Sequence, residues 1–170
     1  MKNFMHDASG VRQAEAHEIG QTNTPERIGV MADTHNILPP KVEEIFTNVE
    51  EIWHLGDVCE SWILDALRGI CDRVLAVRGN NDWDLSLPQN CELRRGRETF
   101  FLAHIIPDRP LVAYDWVLYG HTHVPHLEET GRPKYLNPGA VGRCNRGAPP
   151  SVALLHLMEG GRYRAEIVPL

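Results

Sequence analysis

Three short apolar segments, each followed directly by a polar loop, constrain the fold of this chain more than any other feature. They are RIGVMADTH from Arg27, EIWHLGDV from Glu51 and DRVLAVRGNND from Asp72. Two segments with apolar residues at helical spacing separate them, PPKVEEIFTNVEE and ESWILDALRGI, and Gly69 is the predicted end of the second helix. The order strand, helix, strand, helix, strand predicts βαβ units and therefore a parallel sheet.

The second half of the chain has a different pattern, because it contains three predicted β-hairpins. Their sequences are CELRRGRETFFLAHI, VPHLEETGRPKYLNPG and SVALLHLMEGGRYRAEIV, with turns around residues 95–96, 130–131 and 160–161. One more strand and loop, DWVLYGHTH, lies between the first two hairpins. We therefore expect a single α/β domain over residues 27–170, with two mixed sheets packed face to face and helices outside. Residues 1–26 are polar, and we expect them to form a mobile extension.

Composition argues against nucleic acid and membranes as partners of this chain. The chain has 170 residues and a net charge of −6, and its Lys and Arg residues form no cluster, so we expect no broad binding to nucleic acid. It has no signal-peptide pattern and no apolar run of the roughly 20 residues that cross a bilayer, so we expect no membrane association. None of the four cysteines forms a CxxC pair, which favours reduced thiols and a cytoplasmic location.

Side chains that can bind a metal follow the predicted strands one after another, in the motifs DTH, GD, GNND, AH and GHTH. They are Asp33, His35, Asp57, Asn80, His104, His121 and His123. Ligands of open α/β sheets collect outside the carboxyl ends of the strands, so we expect these residues to converge on one site. Each motif alone has a simpler explanation: DTH occurs by chance, GNND forms an Asn-rich turn, and GHTH forms a solvated loop. The ordered set is far more specific.

The chemistry of this set suits two divalent metal ions. One ion is assigned Asp33, His35, Asp57 and His123. The other is assigned Asp57, Asn80, His104 and His121, with Asp57 bridging the two ions. Imidazole, carboxylate and amide ligands suit Mn, with Fe, Zn, Co and Ni as alternatives. Two such ions, two carboxylates and a bridging hydroxide leave a charge of about +1, which suits an anionic phosphate, and paired metals suit in-line displacement at phosphorus.

Together with NPGAVGR from Asn137, these motifs resemble those of the calcineurin-like metallophosphoesterase superfamily, specifically its small single-domain bacterial and archaeal phosphodiesterases. The resemblance covers residues 27–170 and implies a four-layer αββα sandwich with a dinuclear metal centre and the same seven ligands. It also implies hydrolysis of phosphodiester bonds by a bridging hydroxide. The residues that would act through the metals and by stabilising charge are Asp57, Asn80, His104 and His121. The expected partner is a small phosphate ester, and self-association into a homo-oligomer stays open.

Two positions depart from the superfamily pattern. Phosphomonoesterases of the superfamily usually carry a histidine after the Asn of the GN motif, where this chain has Asn81. An amide is not a general acid, so Asn81 favours diesters over monoesters that have poor leaving groups. The usual His-Gly-His strand end is here His104, Ile105 and Ile106, which keeps the expected ligand but alters the expected substrate contacts.

Four residues near the motifs are candidates for substrate contact: Arg78, Asn81, Asp82 and Arg143. For both arginines, an ordinary surface position is the favoured alternative. For Asp82, stabilisation of the turn is an equal alternative. Trp83 follows the GNND motif, and we expect it to pack against the core rather than to stack on an aryl or base group.

Two other functions compete with the phosphodiesterase prediction. The fold that the resemblance implies also serves as an interaction subunit in the retromer coat, so a non-catalytic metal-binding scaffold is one alternative. Such scaffolds tend to lose metal ligands, whereas this chain keeps all seven, which favours an enzyme. The other alternative is a phosphomonoesterase that acts on a nucleotide or a small metabolite.

Overall fold

Two five-stranded sheets form the framework of the computed structural model, which describes residues 24–142 and 147–170. The first sheet consists of β1 (Arg27–Met31), β2 (Glu51–His54), β3 (Val74–Ala76), β9 (Ser151–Leu157) and β10 (Tyr163–Pro169), paired in the order β10-β9-β1-β2-β3. The second consists of β4 (Asn90–Arg95), β5 (Glu98–Ala103), β6 (Trp116–Leu118), β7 (His126–Glu128) and β8 (Lys134–Asn137), paired in the order β4-β5-β6-β8-β7. Residues 1–23 of the predicted extension lie outside the described residues.

Both sheets are mixed, as the sequence predicts. In the first sheet, β1, β2 and β3 pair in parallel, while β9 runs antiparallel to β1 and to β10. In the second sheet, β5, β6 and β8 pair in parallel, and β4 and β7 are antiparallel to their neighbours. The three predicted hairpins, β4–β5, β7–β8 and β9–β10, are therefore confirmed. Within each sheet, the carboxyl ends of the parallel strands lie at one edge.

The two helices pack on the outer face of the first sheet. Helix α1 (Pro40–Phe46) starts with a proline at its first position, where no backbone N–H is needed, and it buries Val42 and Phe46. Helix α2 (Ser61–Ile70) buries one face. Together with Met31 and Ile52 from the sheet, these apolar faces form one buried cluster, which fixes the loops between the helices and the strands.

The predicted end of the second helix at Gly69 is wrong by one residue. Helix α2 continues to Ile70, and Cys71 then adopts an extended conformation with φ of −147°. The backbone N–H of Cys71 donates to the carbonyl of Leu67 at 3.0 Å and closes the last turn. Gly69 lies inside the helix. This hydrogen bond, and not the glycine, therefore sets the end of the helix.

An aromatic core joins the two sheets. Trp53 of β2 meets Phe100 of β5 edge to face, with ring centroids 5.1 Å apart, and Phe100 stacks on Trp116 of β6 at 6.3 Å. The indole N–H groups of Trp53 and Trp116 donate to the buried carboxylates of Glu51 and Glu98, so both buried donors are satisfied. This packing holds the two sheets, and therefore their loops, in a fixed relation.

The outer face of the second sheet is covered by residues 105–115, which form turns and bends. Leu111 of this segment packs against Phe101 and Val117 in a small buried cluster. No helix in the described part of the chain is long and apolar enough to cross a membrane. Cys59, Cys71 and Cys91 form no disulfide.

Candidate metal centre

The seven predicted ligand residues lie in five loops that leave the carboxyl ends of parallel strands in both sheets. The loops after β1, β2 and β3 belong to the first sheet, and those after β5 and β6 belong to the second. In chain order the residues in these loops are Asp33 and His35, Asp57, Asn80, His104, and His121 with His123. The structure brings all of them together in two adjoining groups.

The first group consists of Asp33, His35, Asp57 and His123, each of which offers one ligand atom within 4.8 Å of the others. The Nε2 atoms of His35 and His123 lie 3.4 Å apart. Nε2 of His35 is 3.5 Å from Oδ2 of Asp57, and Nε2 of His123 is 3.2 Å from Oδ1 of Asp33. Two imidazole nitrogens and two carboxylates around one point are a suitable set for a transition metal ion.

The second group is centred on the amide oxygen of Asn80. This oxygen lies 3.0 Å from Nε2 of His104 and 3.0 Å from Nδ1 of His121. Nε2 of His104 is also 3.5 Å from Oδ1 of Asp57, the carboxylate oxygen that does not face His35. Asp57 therefore presents one oxygen to each group and connects them.

The electrostatics of Asp33 fit a bound cation. This carboxylate is fully buried, and its Oδ1 accepts no hydrogen bond from the described residues. Its Oδ2 accepts only one described hydrogen bond, from the backbone N–H of His121 at 3.1 Å. Burial is the main cause that raises the pKa of Asp33 to about 6. A divalent cation at the first group would supply the compensation that the carboxylate lacks, so the residues present fit such an ion.

Asp57 is kept ionised by its neighbours. Burial acts to raise the pKa of Asp57, but hydrogen bonds from His104 and from Asn81 outweigh this effect and hold the pKa well below its usual range. The backbone N–H of Asn81 donates to Oδ1 at 2.9 Å, and its side-chain amide donates to Oδ2 at 2.7 Å. Each carboxylate oxygen keeps a further lone pair, so both remain able to bind a metal ion.

The orientation of His104 is set by a backbone carbonyl. Nδ1 of His104 lies 2.8 Å from the carbonyl oxygen of Leu55, which can only accept, so Nδ1 carries a proton. The other ring nitrogen, Nε2, faces Asn80 and Asp57 and donates to them when His104 is protonated. In the neutral ring Nε2 carries the lone pair that can bind a metal ion. Burial opposes the charged form of His104, but the hydrogen bond and charge of Asp57, together with Asp33, raise its pKa overall.

Most of the candidate ligands sit on a backbone of unusual conformation. Five of them have positive φ values: Asp33 (54°), His35 (45°), Asp57 (56°), His121 (67°) and His123 (59°). For residues other than glycine this region costs about 1–3 kcal/mol each and persists only where surrounding contacts impose it. Such strain in one place is typical of a functional site.

Asp82 holds part of this strained backbone in place. Its carboxylate is fully buried. Oδ2 accepts the N–H groups of Asp57 at 2.9 Å and Gly79 at 2.7 Å, while Oδ1 accepts the N–H of Cys59 at 2.7 Å. The side chain of Asp82 is buried, and both of its oxygens already accept hydrogen bonds from the backbone. Asp82 therefore does not line the surface that a substrate reaches. These contacts favour the alternative of a turn-stabilising carboxylate over substrate contact for Asp82.

A family model of the calcineurin-like phosphoesterase superfamily domain matches residues 27–160 of this sequence. The chain belongs to this superfamily. A relative described as a probable metallophosphoesterase, from Methanocaldococcus jannaschii, is 32% identical over 162 residues, which are 84% of this chain and 81% of that protein. The predicted family is confirmed, and the loops described above are those of a superfamily member.

Solved structures with a similar fold agree with the predicted sandwich of two mixed sheets. The structure of an archaeal phosphodiesterase aligns with a TM-score of 0.68 at 28% identity, covering 84% of this chain and 99% of that one. Vacuolar protein sorting 29 from Cryptosporidium parvum aligns with a TM-score of 0.69 at 20% identity, covering 87% of this chain and 99% of that one. The second likeness shows the fold alone. The predicted fold class of two mixed sheets is confirmed, with both described helices on the first sheet.

The remaining predicted residues have different outcomes. Arg78 is exposed beside the centre, and Asn81 contacts Asp57 as described, whereas Arg143 lies outside the described residues. The expectation that Trp83 packs against the core is wrong, because its side chain is 76% exposed. The loop after His104 keeps this histidine beside Asn80 despite Ile105 and Ile106, which are 52% and 37% exposed.

Two further residues, His54 and Thr34, support the centre through hydrogen bonds. Nδ1 of His54 accepts the N–H of Gly56 at 3.2 Å, so Nε2 carries the proton and donates to Oγ1 of Thr34 at 3.1 Å. Thr34 in turn donates to the carbonyl of Asp57 at 3.2 Å. This buried chain of hydrogen bonds connects the loops after β1 and β2. A histidine on the last residue of a buried strand was the signal available in the sequence.

Gly79, the glycine of the GNND motif, also helps to shape the centre. A Cβ atom at this position would overlap the backbone nitrogen and Oδ1 of Asp57. The glycine of the GN motif is therefore required by close approach of two loops, which lets the carboxylate of Asp57 reach both groups of ligands. Its φ is not in the positive range, so the requirement is steric.

Proposed function

We propose that this chain is a metal-dependent phosphodiesterase that uses two divalent ions, with Mn as the first candidate. The observation that supports the proposal is the convergence of nitrogen and oxygen donors from five loops into two groups that share Asp57. One ion would be held by Asp33, His35, Asp57 and His123. The other would be held by Asp57, Asn80, His104 and His121. Bound ions of this kind supply positive charge and lower the pKa of water, so that it attacks phosphorus at neutral pH.

The protein's own groups would position and neutralise the phosphate. Asn80 and His104 line an open cleft beside the centre, and Arg78 brings a positive charge to the same cleft. Negative charge that develops on the phosphate oxygens would lie next to these groups, where preorganised donors and cations stabilise it. The hydrogen bond to the carbonyl of Leu55 would hold the ring of His104 in this orientation.

The preference for diesters is proposed from Asn81. Its side-chain amide donates to Oδ2 of Asp57, and an amide does not deliver a proton to a leaving oxygen. A monoester with a poor leaving group would therefore lack an acid at this position. Diesters with good leaving groups have less need of one.

The test is hydrolysis of bis-p-nitrophenyl phosphate by metal-stripped protein before and after addition of Mn. We expect turnover only with metal, and a loss of more than about 100-fold in Asp57→Asn, since even residues behind a metal ligand are worth about 10–100-fold. Asp65→Asn is the matched control, because Asp65 is an exposed carboxylate on α2 whose described ion pair is with Arg68 and with none of the seven residues, and it should leave the rate unchanged.

Two outcomes would contradict the proposal. Tight metal binding without hydrolysis of any diester would favour the non-catalytic scaffold. Faster turnover of nucleotides or other phosphomonoesters than of diesters would favour a phosphomonoesterase. A panel of both ester classes, assayed with Mn, Zn, Co and Ni, separates these outcomes and identifies the metal that supports the highest rate.

A further inference from the structure

An open cleft of about 440 Å³ adjoins the second group of ligands. It starts at Asn80 and His104, and its other walls come from the loop after β3, the start of β4 and the loop after β5. The volume lies within the range of small-molecule sites, about 300–1,000 Å³. A phosphate at the metal centre would therefore have one substituent directed into space that the protein has shaped.

Trp83 is the most unusual side chain of this cleft. It is 76% exposed although an indole of this size gains about 2 kcal/mol or more from burial. Ile105 lines the same cleft at 52% exposure, and the buried Phe101 and Ala103 lie at its base. An exposed indole and an exposed isoleucine in a cleft beside a polar centre can pack against an apolar group of a ligand.

The polar residues of the cleft indicate what kind of apolar group would bind there. Arg78 contributes a positive charge, and Gln89 and Asn90 contribute exposed amides that both donate and accept hydrogen bonds. None of the described residues that line the cleft is acidic. A flat ring with a hydrogen-bonding edge, attached to an anion, matches this combination of indole, amides and cation.

We propose that this cleft binds a nucleobase carried by one substituent of the phosphodiester, with the base stacked on Trp83 and its polar edge facing Gln89 and Asn90. The inference rests on the proposed function and specifies its substrate class as diesters of nucleosides. Stacking on an aromatic side chain tolerates different bases, so the cleft accepts several nucleosides.

The kinetic test compares two diesters that share the p-nitrophenolate leaving group, thymidine 5′-(p-nitrophenyl phosphate) and methyl p-nitrophenyl phosphate. We expect a KM about tenfold lower for the thymidine ester, the size of effect that one stacked base supplies, with similar kcat. Trp83→Ala should abolish the difference, and Trp83→Phe should retain most of it. The matched control is Trp62→Phe, because Trp62 is 44% exposed on α2 and does not line the cleft.

Equal KM values for the two esters, or an unchanged difference in Trp83→Ala, would overturn the proposal while leaving the phosphodiesterase function intact. A second readout does not need turnover. Thymidine 5′-phosphate should quench tryptophan fluorescence in Trp62→Phe but not in the Trp62→Phe, Trp83→Phe double variant, since Trp53 and Trp116 are fully buried. Quenching without hydrolysis of either ester would support the cleft and refute the enzyme. Hydrolysis without quenching would do the reverse.

Discussion

The buried carboxylate of Asp82 accepts the backbone N–H of Asp57 at 2.9 Å, so one acidic residue holds the backbone of another. Asp57 has a φ of 56°, a conformation that a residue with a side chain rarely adopts without support. Asp82 also accepts the N–H of Gly79 and thereby joins the loops after β2 and β3. The position of the shared ligand thus depends on a residue that binds no metal itself.

Asp82→Asn should weaken both folding and metal binding. An amide group has only one accepting atom, so at least one of the N–H groups now bound would face a donor, at a cost of about 1–3 kcal/mol. Metal affinity should fall by about 10–100-fold. Thermal unfolding and calorimetric titration with Mn measure the two effects. Asp84→Asn, an exposed neighbour in the same loop, should change stability by less than about 0.5 kcal/mol, and an equal effect of both variants would refute the role given to Asp82.

Gly79→Ala and Gly69→Ala should change the free energy of unfolding in opposite directions. The added Cβ at Gly79 would overlap the backbone of Asp57, and the forced shift should cost about 1–3 kcal/mol and reduce Mn binding. At Gly69 a Cβ would meet no atom within 4 Å, and alanine in a helix should stabilise the protein by up to about 1 kcal/mol. Denaturant unfolding of both variants checks the signs. A Gly79→Ala protein as stable as the parent would show that the two loops are not held so close.

His54 should make stability depend on pH. Burial is the main cause that lowers the pKa of His54 from 6.5 to about 3, with the charge of His104 acting in the same direction. Between these values the unfolded chain binds a proton that the folded protein does not, so this contribution to stability falls as the pH falls below 6.5. His54→Asn keeps an acceptor near Gly56 and removes the titration.

The measurement is the difference in unfolding free energy between the parent protein and His54→Asn, in the presence of a chelator. This difference should be constant above pH 7 and should shrink by about 2 kcal/mol at pH 5. Comparing the two proteins removes the contributions of Asp33 and His104, which titrate in both. A difference that stays the same at pH 5 and pH 7.5 would mean that His54 is not held neutral by the fold.

Asn81→His should shift the enzyme towards monoesters. An imidazole at this position can protonate a leaving oxygen, and such acid catalysis is worth about 100-fold or more where the geometry is favourable. We expect the rate on phenyl phosphate to rise at least about tenfold relative to p-nitrophenyl phosphate, which has the better leaving group. Asn81→Gln, which disturbs the contact with Asp57 but supplies no acid, should not change the ratio. An unchanged ratio in Asn81→His would show that Asn81 does not determine the preference.

Most of the fold could be predicted because its elements have local signals. Apolar runs that end in DTH, GD and GNND predict strands followed by loops, and the hairpins follow from paired strands around glycine-containing turns. The end of α2 could not be predicted, because Gly69 is compatible with both a helix and its end. The helix ends where the backbone N–H of Cys71 donates a hydrogen bond to the carbonyl of Leu67.

The exposure of Trp83 could not be predicted from its neighbours in the sequence. A tryptophan next to a polar loop is compatible with a core anchor and with an exposed ring, and nothing in the adjacent residues distinguishes them. In the loop after β3, Asp82 is buried and accepts three hydrogen bonds, whereas the next residue, Trp83, is exposed and lines the cleft. The outcome depends on residues that are near only in three dimensions.

The nitrogen and oxygen ligands, and the loops that carry them, could be predicted from the sequence alone, because each motif directly follows a strand that its own apolar pattern predicts. The order of these motifs also predicted the superfamily. Three relationships follow from the tertiary structure: Asp57 faces both groups, one oxygen of the buried Asp33 accepts no hydrogen bond from the described residues, and Trp83 borders the cleft. These relationships arise where loops of the two sheets come into contact. The packing of Trp53, Phe100 and Trp116 between the sheets fixes the relative position of those loops.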